Sequence, residues 1–228
     1  MAWYKFDECS GTVAHSTNET NNSALNGTIT IGATLPQSQA GTCSDGLTTS
    51  AWYNGVTGKL SSSINLDGSD DYVTTANVAL LASNAATYTT ASWGTWARPL
   101  SSVSKTLVQK NNEFRLTTDA NGYPACQIYS SSWQTGATYN TALPVASWSH
   151  LLCTYDGANI KLYLNGALKA TQPQTGAITS SSATALNVGR DSGGTGYFYG
   201  KLDDARVYNY ALSAVAIKTL YTDGAVKF

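Results

Sequence analysis

Short runs in which apolar and polar residues alternate recur along the chain, and most end at a turn signal. Ile64-Asn65-Leu66 leads into Asp67-Gly68-Ser69-Asp70-Asp71 and resumes at Tyr72-Val73-Thr74. Ser92–Ala97 stops at Arg98-Pro99, Thr106–Gln109 at Lys110-Asn111-Asn112, and Phe114–Thr117 at Asp119-Ala120-Asn121-Gly122. Ser149–Tyr155 ends at Asp156-Gly157 and Ile160–Leu164 at Asn165-Gly166. Asp-Gly and Asn-Gly supply the positive φ that tight hairpins need, so these runs predict antiparallel strands. Trp3–Phe6 reads as the first strand and Ala125–Tyr129 as another. Many short strands at this spacing predict an all-β antiparallel sandwich or barrel.

The period changes once, near the end. Ser213 can cap a helix over Ala214–Tyr221, Leu212 can staple onto Ile217, and Thr222-Asp223-Gly224 is a stop signal. So short a helix must pack on the body. Residues 10–63 form the opposite case: rich in Asn, Ser, Thr and Gly, with a faint strand pattern over Leu25–Ile31. A long irregular stretch of this kind is functional or pinned in place. No linker, charge run or fixed-period repeat interrupts the chain, so residues 1–228 read as one domain.

Composition narrows the classes. The 228 residues carry 13 Lys+Arg against 14 Asp+Glu, a net charge of -1, and only 12% of them are charged. Without a basic excess, nucleic-acid binding is disfavoured. No apolar run is long enough for a membrane helix. With 42% hydrophobic residues and 14 Tyr, the chain can bury a sizeable core. A Ser/Thr/Asn/Tyr-rich surface fits a secreted or cell-surface protein. Met1-Ala2 leads straight into the first strand with no apolar leader, as expected of a domain excised from a larger extracellular protein.

Four cysteines, Cys9, Cys43, Cys126 and Cys153, allow three pairings. None forms a C-x-x-C pair, so zinc-ribbon and thioredoxin readings lose their signature. Cys9–Cys43 would join two polar loops and Cys126–Cys153 two well-alternating strands, which favours those bonds. Four buried thiols are the alternative.

Five segments, taken in order, resemble the laminin-G-like branch of the concanavalin A-like superfamily. They are Trp3–Glu8 with Ser10-Gly11; Leu66–Val73; Thr95–Pro99; Trp148–Gly157 with Lys161–Gly166; and Gly200–Asn209 with Ala211–Ser213. The resemblance implies a two-sheet jelly-roll sandwich with one concave sheet and one short C-terminal helix. It leaves open a lectin, a carbohydrate-binding module, an adhesive domain or a glycosidase, so function has to be argued from the site.

A glycosidase needs two carboxylates about 5 to 9 Å apart. The three glutamates, Glu8, Glu19 and Glu113, are far apart in sequence. The adjacent pairs Asp70-Asp71 and Asp203-Asp204 should point to opposite faces of a strand. A triad would need His15, in a polar loop, or His150, on a structural strand. The expectation is therefore no catalysis. The resemblance implies paired terminal strands, which would bring Asp7 and Asp204 together as side-chain ligands of a structural calcium. Carbonyls of the loop after Gly11 would complete its oxygen shell. That loop has Ser16-Thr17-Asn18-Glu19 where the family tends to carry an Asp-bearing turn.

Sugars present apolar C–H faces, which lectins meet with exposed aromatics beside polar groups. Trp3, Phe6, Tyr72, Trp96, Trp148, Tyr155, Tyr163 and Tyr208 lie in strands and read as core. Trp133, Tyr139 and Tyr197, with Asp191 in the Gly-rich segment before Tyr197, are the candidate ligand residues; Trp52 and Tyr53 also sit in loop-like sequence. Three N-x-[ST] sequences begin at Asn18, Asn21 and Asn26. The expected function is a non-catalytic carbohydrate-binding, lectin-like module with a glycan partner. The alternative is a structural or adhesive domain that binds a protein or itself.

Overall fold

The structure, a computed structural model, describes residues 1–17, 25–76, 87–180 and 184–225. Glu19 and the sequences beginning at Asn18 and Asn21 lie outside the described residues. The architecture is the anticipated sandwich of two antiparallel sheets. The seven-stranded sheet runs Ala2–Tyr4, Tyr199–Tyr208, Ala91–Pro99, Ser149–Tyr155, Asn159–Leu164, Ala167–Pro173, with Ile64–Asp67 also paired to Tyr199–Tyr208. The nine-stranded sheet runs Ser132–Trp133, Pro124–Ser130, Phe114–Thr118, Lys105–Lys110, Leu186–Val188, Tyr72–Thr75, Gly27–Thr30, Val13–Ala14, with Ala137–Thr138 also paired to Pro124–Ser130.

Alternation along the strands fills the space between the sheets. Phe114, Leu116, Cys126 and Ile128 point inward from the nine-stranded sheet and meet Trp93, Leu151, Cys153, Tyr155 and Leu162 from the other. Trp93 and Phe114 lie with ring centroids 5.0 Å apart. Cys126–Cys153 is bonded and ties Pro124–Ser130 of one sheet to Ser149–Tyr155 of the other; Cys9–Cys43 closes the N-terminal loops. The pairing inferred from sequence holds.

The irregular N-terminal region is pinned as well as bonded. It contributes Val13–Ala14 and Gly27–Thr30 to the nine-stranded sheet and a helical turn at Ala51–Gly55, capped by Ser50, whose hydroxyl accepts from the Tyr53 N–H at 3.1 Å. Trp52 on that turn is fully buried, its indole N–H donating to the Gly11 carbonyl at 2.9 Å. It is a core residue despite its loop-like sequence.

The C-terminal helix spans Ala214–Ala225 and runs through Thr222-Asp223-Gly224, which do not stop it. Ser213 caps it, accepting from the Ala216 N–H at 3.2 Å. Ile217 packs with Leu152, Tyr163 and Leu212 on the outer face of the seven-stranded sheet. Beside them Trp96 stacks on Tyr221 at 5.6 Å and lies 5.0 Å from His150. That sheet face is therefore roofed. Among the described residues no helix covers the outer face of the nine-stranded sheet; the loop carrying Arg190 and Ser192 lies over part of it.

Candidate functional site

On the outer face of the nine-stranded sheet, cross-strand pairing lines up one polar row. Gln127 pairs with Arg115, Arg115 with Gln109, Gln109 with Asn187, Asn187 with Thr74 and Thr74 with Thr28. Each occupies an outward position, because its strand neighbours Cys126, Ile128, Phe114, Leu116, Val108, Leu186, Val188, Val73 and Ile29 fill the core. Two depressions lie along the row. The larger, about 540 Å³, is floored by Gln109, Arg115, Thr117 and Gln127 and rimmed by Lys105, Asp119, Thr138, Asp191 and Thr195. The smaller, about 260 Å³, is lined by Thr74, Asn187, Arg190 and Ser192 among others.

Arg115 is the most constrained group in the larger depression. Its Nε donates to Gln127 Oε1 at 2.8 Å, and its guanidinium lies 4.2 Å from the Trp133 ring centroid. Trp133 is itself held edge-on by Tyr129 at 5.5 Å. Burial lowers the Arg115 pKa, and the charge of Asp191 opposes that shift. The cation–π contact and the amide hold the planar fork in one orientation. Gly136 lets the segment carrying Trp133 lie close on the sheet: a Cβ there would come within 2.7 Å of the Cys126 carbonyl oxygen.

Asp191 holds a loop rather than facing the site with free oxygens. Its Oδ1 accepts from the Gly193 and Thr195 N–H groups at 2.9 and 2.8 Å, and the Thr195 hydroxyl donates to Oδ2. The loop is tied to the sheet where the Thr106 N–H donates to the Gly196 carbonyl at 2.8 Å, and Gln109 Nε2 donates to Ser192 Oγ at 3.3 Å. Asp119 likewise accepts from the Asn121 and Tyr123 N–H groups of its own turn.

The structure therefore places Asp191 in the lining of the larger depression, whereas Trp133 is not part of that lining and stands behind Arg115. Tyr197 lies beside the smaller one, its ring 6.3 Å from Tyr72. Tyr139 is elsewhere: Thr138 faces the depression, while Tyr139 turns to the core side and carries Lys169 over its ring at 5.5 Å. Several strand aromatics depart from the core assignment. Tyr72 is half-buried with the Arg190 guanidinium 3.3 Å from its centroid. Trp3 is half-buried, with Lys5 and Arg206 within 4.4 and 4.1 Å of its ring, and Trp148 is half-buried too. Arg115, Gln127, Gln109, Asn187 and Arg190 were not candidates from sequence. For all but Arg190, which lies in the bend after Leu186–Val188, the signal was the polar position inside an alternating strand, which looks the same on any solvent-facing sheet until pairing aligns it.

Two carboxylate clusters lie outside the row. The terminal strands pair, Trp3 opposite Arg206, which brings Asp7 near Asp203 and Asp204. A bulge between Asp203 and Arg206, with Asp204 at φ 52°, breaks the alternation, so both neighbours are buried rather than on opposite faces. Burial, then the charges of Asp204 and Asp7, push the Asp203 pKa up to about 8, against N–H donation from Lys59 and Leu60 to its Oδ2 at 2.7 and 2.9 Å. Asp203 Oδ1 and Asp204 Oδ2 are buried with no hydrogen-bond partner. The other Asp204 oxygen accepts from Trp3 Nε1 and pairs with Arg206 at 3.3 Å. Asp7 accepts from the Ser62 N–H at 3.2 Å. The segment meeting these carboxylates is thus residues 59–62, through N–H groups, rather than carbonyls of the loop after Gly11.

The second cluster is Asp67, Asp70 and Asp71, whose carboxylate oxygens lie within 4.8 Å of one another. Burial, with the charges of Asp67 and Asp70 adding to it, pushes the Asp71 pKa up to about 7. These adjacent aspartates also converge, and the three could hold a metal ion. Of the glutamates, Glu113 is fully buried in an ion pair with Lys110 at 3.2 Å and accepts from the Tyr88 hydroxyl at 2.7 Å.

A family profile described as the concanavalin A-like lectin/glucanases superfamily, of laminin-G type, matches residues 67–218. Among solved structures, domain 4 of an extracellular arabinanase from Geobacillus stearothermophilus, in complex with arabinotriose, aligns over 96% of this chain and 97% of its own at 19% identity, TM-score 0.64. The ligand-binding domain of botulinum neurotoxin serotype D, in complex with N-acetylneuraminic acid, aligns over 98% of this chain and 50% of its own at 15% identity, TM-score 0.64. A sialidase from Trypanosoma rangeli aligns over 96% of this chain and 32% of its own at 12% identity, TM-score 0.58. At these identities the likeness is one of fold. No curated protein matches the chain by sequence.

Proposed function

The chain belongs to the concanavalin A-like lectin/glucanase superfamily, and from that premise we propose that it is a non-catalytic carbohydrate-binding module of a secreted or cell-surface protein. The observation that carries this reading is Arg115, fixed between Trp133 and Gln127 at the floor of an open polar depression. Sugars offer adjacent hydroxyls and carboxylates, and a rigid guanidinium flanked by amides and hydroxyls recognises both. Because Arg115 covers one face of Trp133, the ring acts chiefly as backing for the guanidinium. The ligand residues of this reading are Arg115, Trp133, Gln109 and Gln127, with Asp191 shaping the rim and Tyr197 flanking it. Similar folds in complex with arabinotriose and with N-acetylneuraminic acid, and the two disulfides, support the reading.

The reading also includes one structural calcium held by Asp7 and Asp204. The unpartnered buried Oδ2 of Asp204 is a hard donor suited to that ion. Asp67, Asp70 and Asp71 are the competing position. Calcium at a hundredfold excess over Kd should stabilise by about 2.7 kcal/mol, a Tm rise of about 5 to 10 °C. Loss of that rise in Asp204→Ala but not Asp70→Asn assigns the ion to the terminal strands, and the reverse moves it.

A glycan array carrying arabino-oligosaccharides, sialosides, uronates and neutral β-glucans tests the function. Binding lost in both Arg115→Gln and Trp133→Ala supports it. A flat array with specific capture of a protein would make the chain an adhesive domain instead.

A further inference from the structure

The smaller depression repeats the chemistry of the larger. In the larger, Arg115 lies on an aromatic ring, Trp133, and its Nε donates to an amide oxygen, that of Gln127. In the smaller, Arg190 lies on Tyr72 at 3.3 Å and its Nε donates to Asn187 Oδ1 at 3.3 Å. Gln127 and Asn187 belong to the same cross-strand row, with Arg115 and Gln109 between them. From Gln127 to Thr74 the row crosses four inter-strand steps of about 4.8 Å, roughly 19 Å in all, enough for several sugar rings. Ser192, bonded to Gln109, stands between the two depressions, and Gln109 and Asn187 are buried beneath its loop, so a ligand that fills both depressions has to pass over that loop.

Along the two depressions the cations Lys105, Arg115 and Arg190 outnumber the carboxylates Asp119 and Asp191 by one. Asp191 and Asp119 are occupied by N–H groups of their own turns. Arg115 and Arg190 are each held by one Nε bond and one ring, and Lys105 at the rim lies within electrostatic reach of Asp67 but forms no ion pair among the described residues. Two preoriented guanidinium forks match carboxylates, which accept bidentately.

We propose that the smaller depression is a second sugar subsite, and that the two subsites take acid-bearing residues of one linear glycan laid across the strands. This rests on the carbohydrate-binding reading and adds chain length and charge to it. The shared chemistry is the sugar carboxylate, whose source is a uronic acid or a sialic acid.

The test is calorimetric titration of the intact chain with galacturonic acid oligomers of one to six units, their carboxyl-reduced neutral counterparts, and sialic acid oligomers of the same lengths. Affinity should rise at least tenfold from one unit to four in one of the two acidic series, and fall at least tenfold on carboxyl reduction or in high salt. Arg190→Gln, and separately Ser192→Trp, which fills the smaller depression, should abolish the rise with length. A length dependence that survives both variants overturns the second subsite. Equal affinity for acidic and neutral oligomers, or binding to neither acidic series, overturns the acid-bearing ligand. If array glycans still bind through Arg115 in either of those cases, the inference fails and the binding function stands; if no glycan binds at all, both fail.

Discussion

The two outer sheet faces of this sandwich are built from the same alternation and end in opposite states. On the seven-stranded sheet the outward positions include Trp96, Leu152 and Tyr163, and the C-terminal helix covers them with Ile217 and Tyr221. On the nine-stranded sheet the outward positions are Gln127, Arg115, Gln109, Asn187 and Thr74, and no helix among the described residues roofs them, although Gln109 and Asn187 are buried under the loop that carries Arg190 and Ser192. Apolar outward residues call for a cover because their burial is stabilising. Polar outward residues need no such cover. On the proposed reading, stability and recognition are thereby separated onto two faces, and each can be altered alone.

The largest expected effect falls on what joins the faces. Replacing both Cys126 and Cys153 with Ala removes a bond closing 27 residues of chain, which should lower stability by about 3 to 4 kcal/mol by the chain-entropy model. Denaturant unfolding measures it, and a loss under 1 kcal/mol would show that packing alone holds the sheets in register. Next comes the roof. Ile217→Ala should cost about 2 to 4 kcal/mol while leaving glycan affinity unchanged. A parallel loss of affinity would mean that the two faces are coupled. The face of the nine-stranded sheet should show the converse: Arg115→Gln should weaken glycan binding roughly 10- to 100-fold, with unfolding stability within about 0.5 kcal/mol.

The smallest effect is a pH dependence, and it sharpens the comparison between buried carboxylates and the buried histidine under the roof. Asp203 and Asp71 have folded pKa values raised to about 8 and about 7 from 3.8, mainly by burial. The folded state holds their protons more tightly, so their contribution to stability is full below about pH 4 and is lost as pH rises through 7 and 8. His150 is lowered to about 4 from 6.5, by burial and then by the Arg206 charge, so its contribution is lost as pH falls from 6.5 through 4. Above pH 6.5 only the carboxylates act, and Tm in chelator should decline between pH 6.5 and 8.5. Asp203→Asn should flatten the decline. A flat profile in the unsubstituted chain would show that these carboxylates ionise freely.

How much of this was written in the sequence differs from element to element. The strands from Ile64 to Leu164 were legible because alternation and Asn-Gly or Asp-Gly turns act within a few residues. The cap at Ser213 and the staple of Leu212 on Ile217 were legible for the same reason. The strand Ala167–Pro173 was not, since its outward residues are largely exposed on both sides and leave little hydrophobic alternation. The core position of Trp52 was equally hidden, because the Gly11 carbonyl that receives its indole N–H lies 41 residues away.

The candidate site divides along the same line. Sequence by itself determined the fold class and the presence of Trp133, Asp191 and Tyr197 in polar, turn-rich segments, and it favoured the two disulfide partnerships. Tertiary structure alone decided that Tyr139 leaves the site and that Arg115, Gln109 and Asn187, far apart in the chain, stand side by side. It also decided that a bulge buries Asp203 and Asp204 together. The physical reason is that secondary structure follows from local periodicity, whereas a site on a sheet face is fixed by register between strands. Register is set by the packing of the whole core, and one residue of slip would turn every member of the row inward.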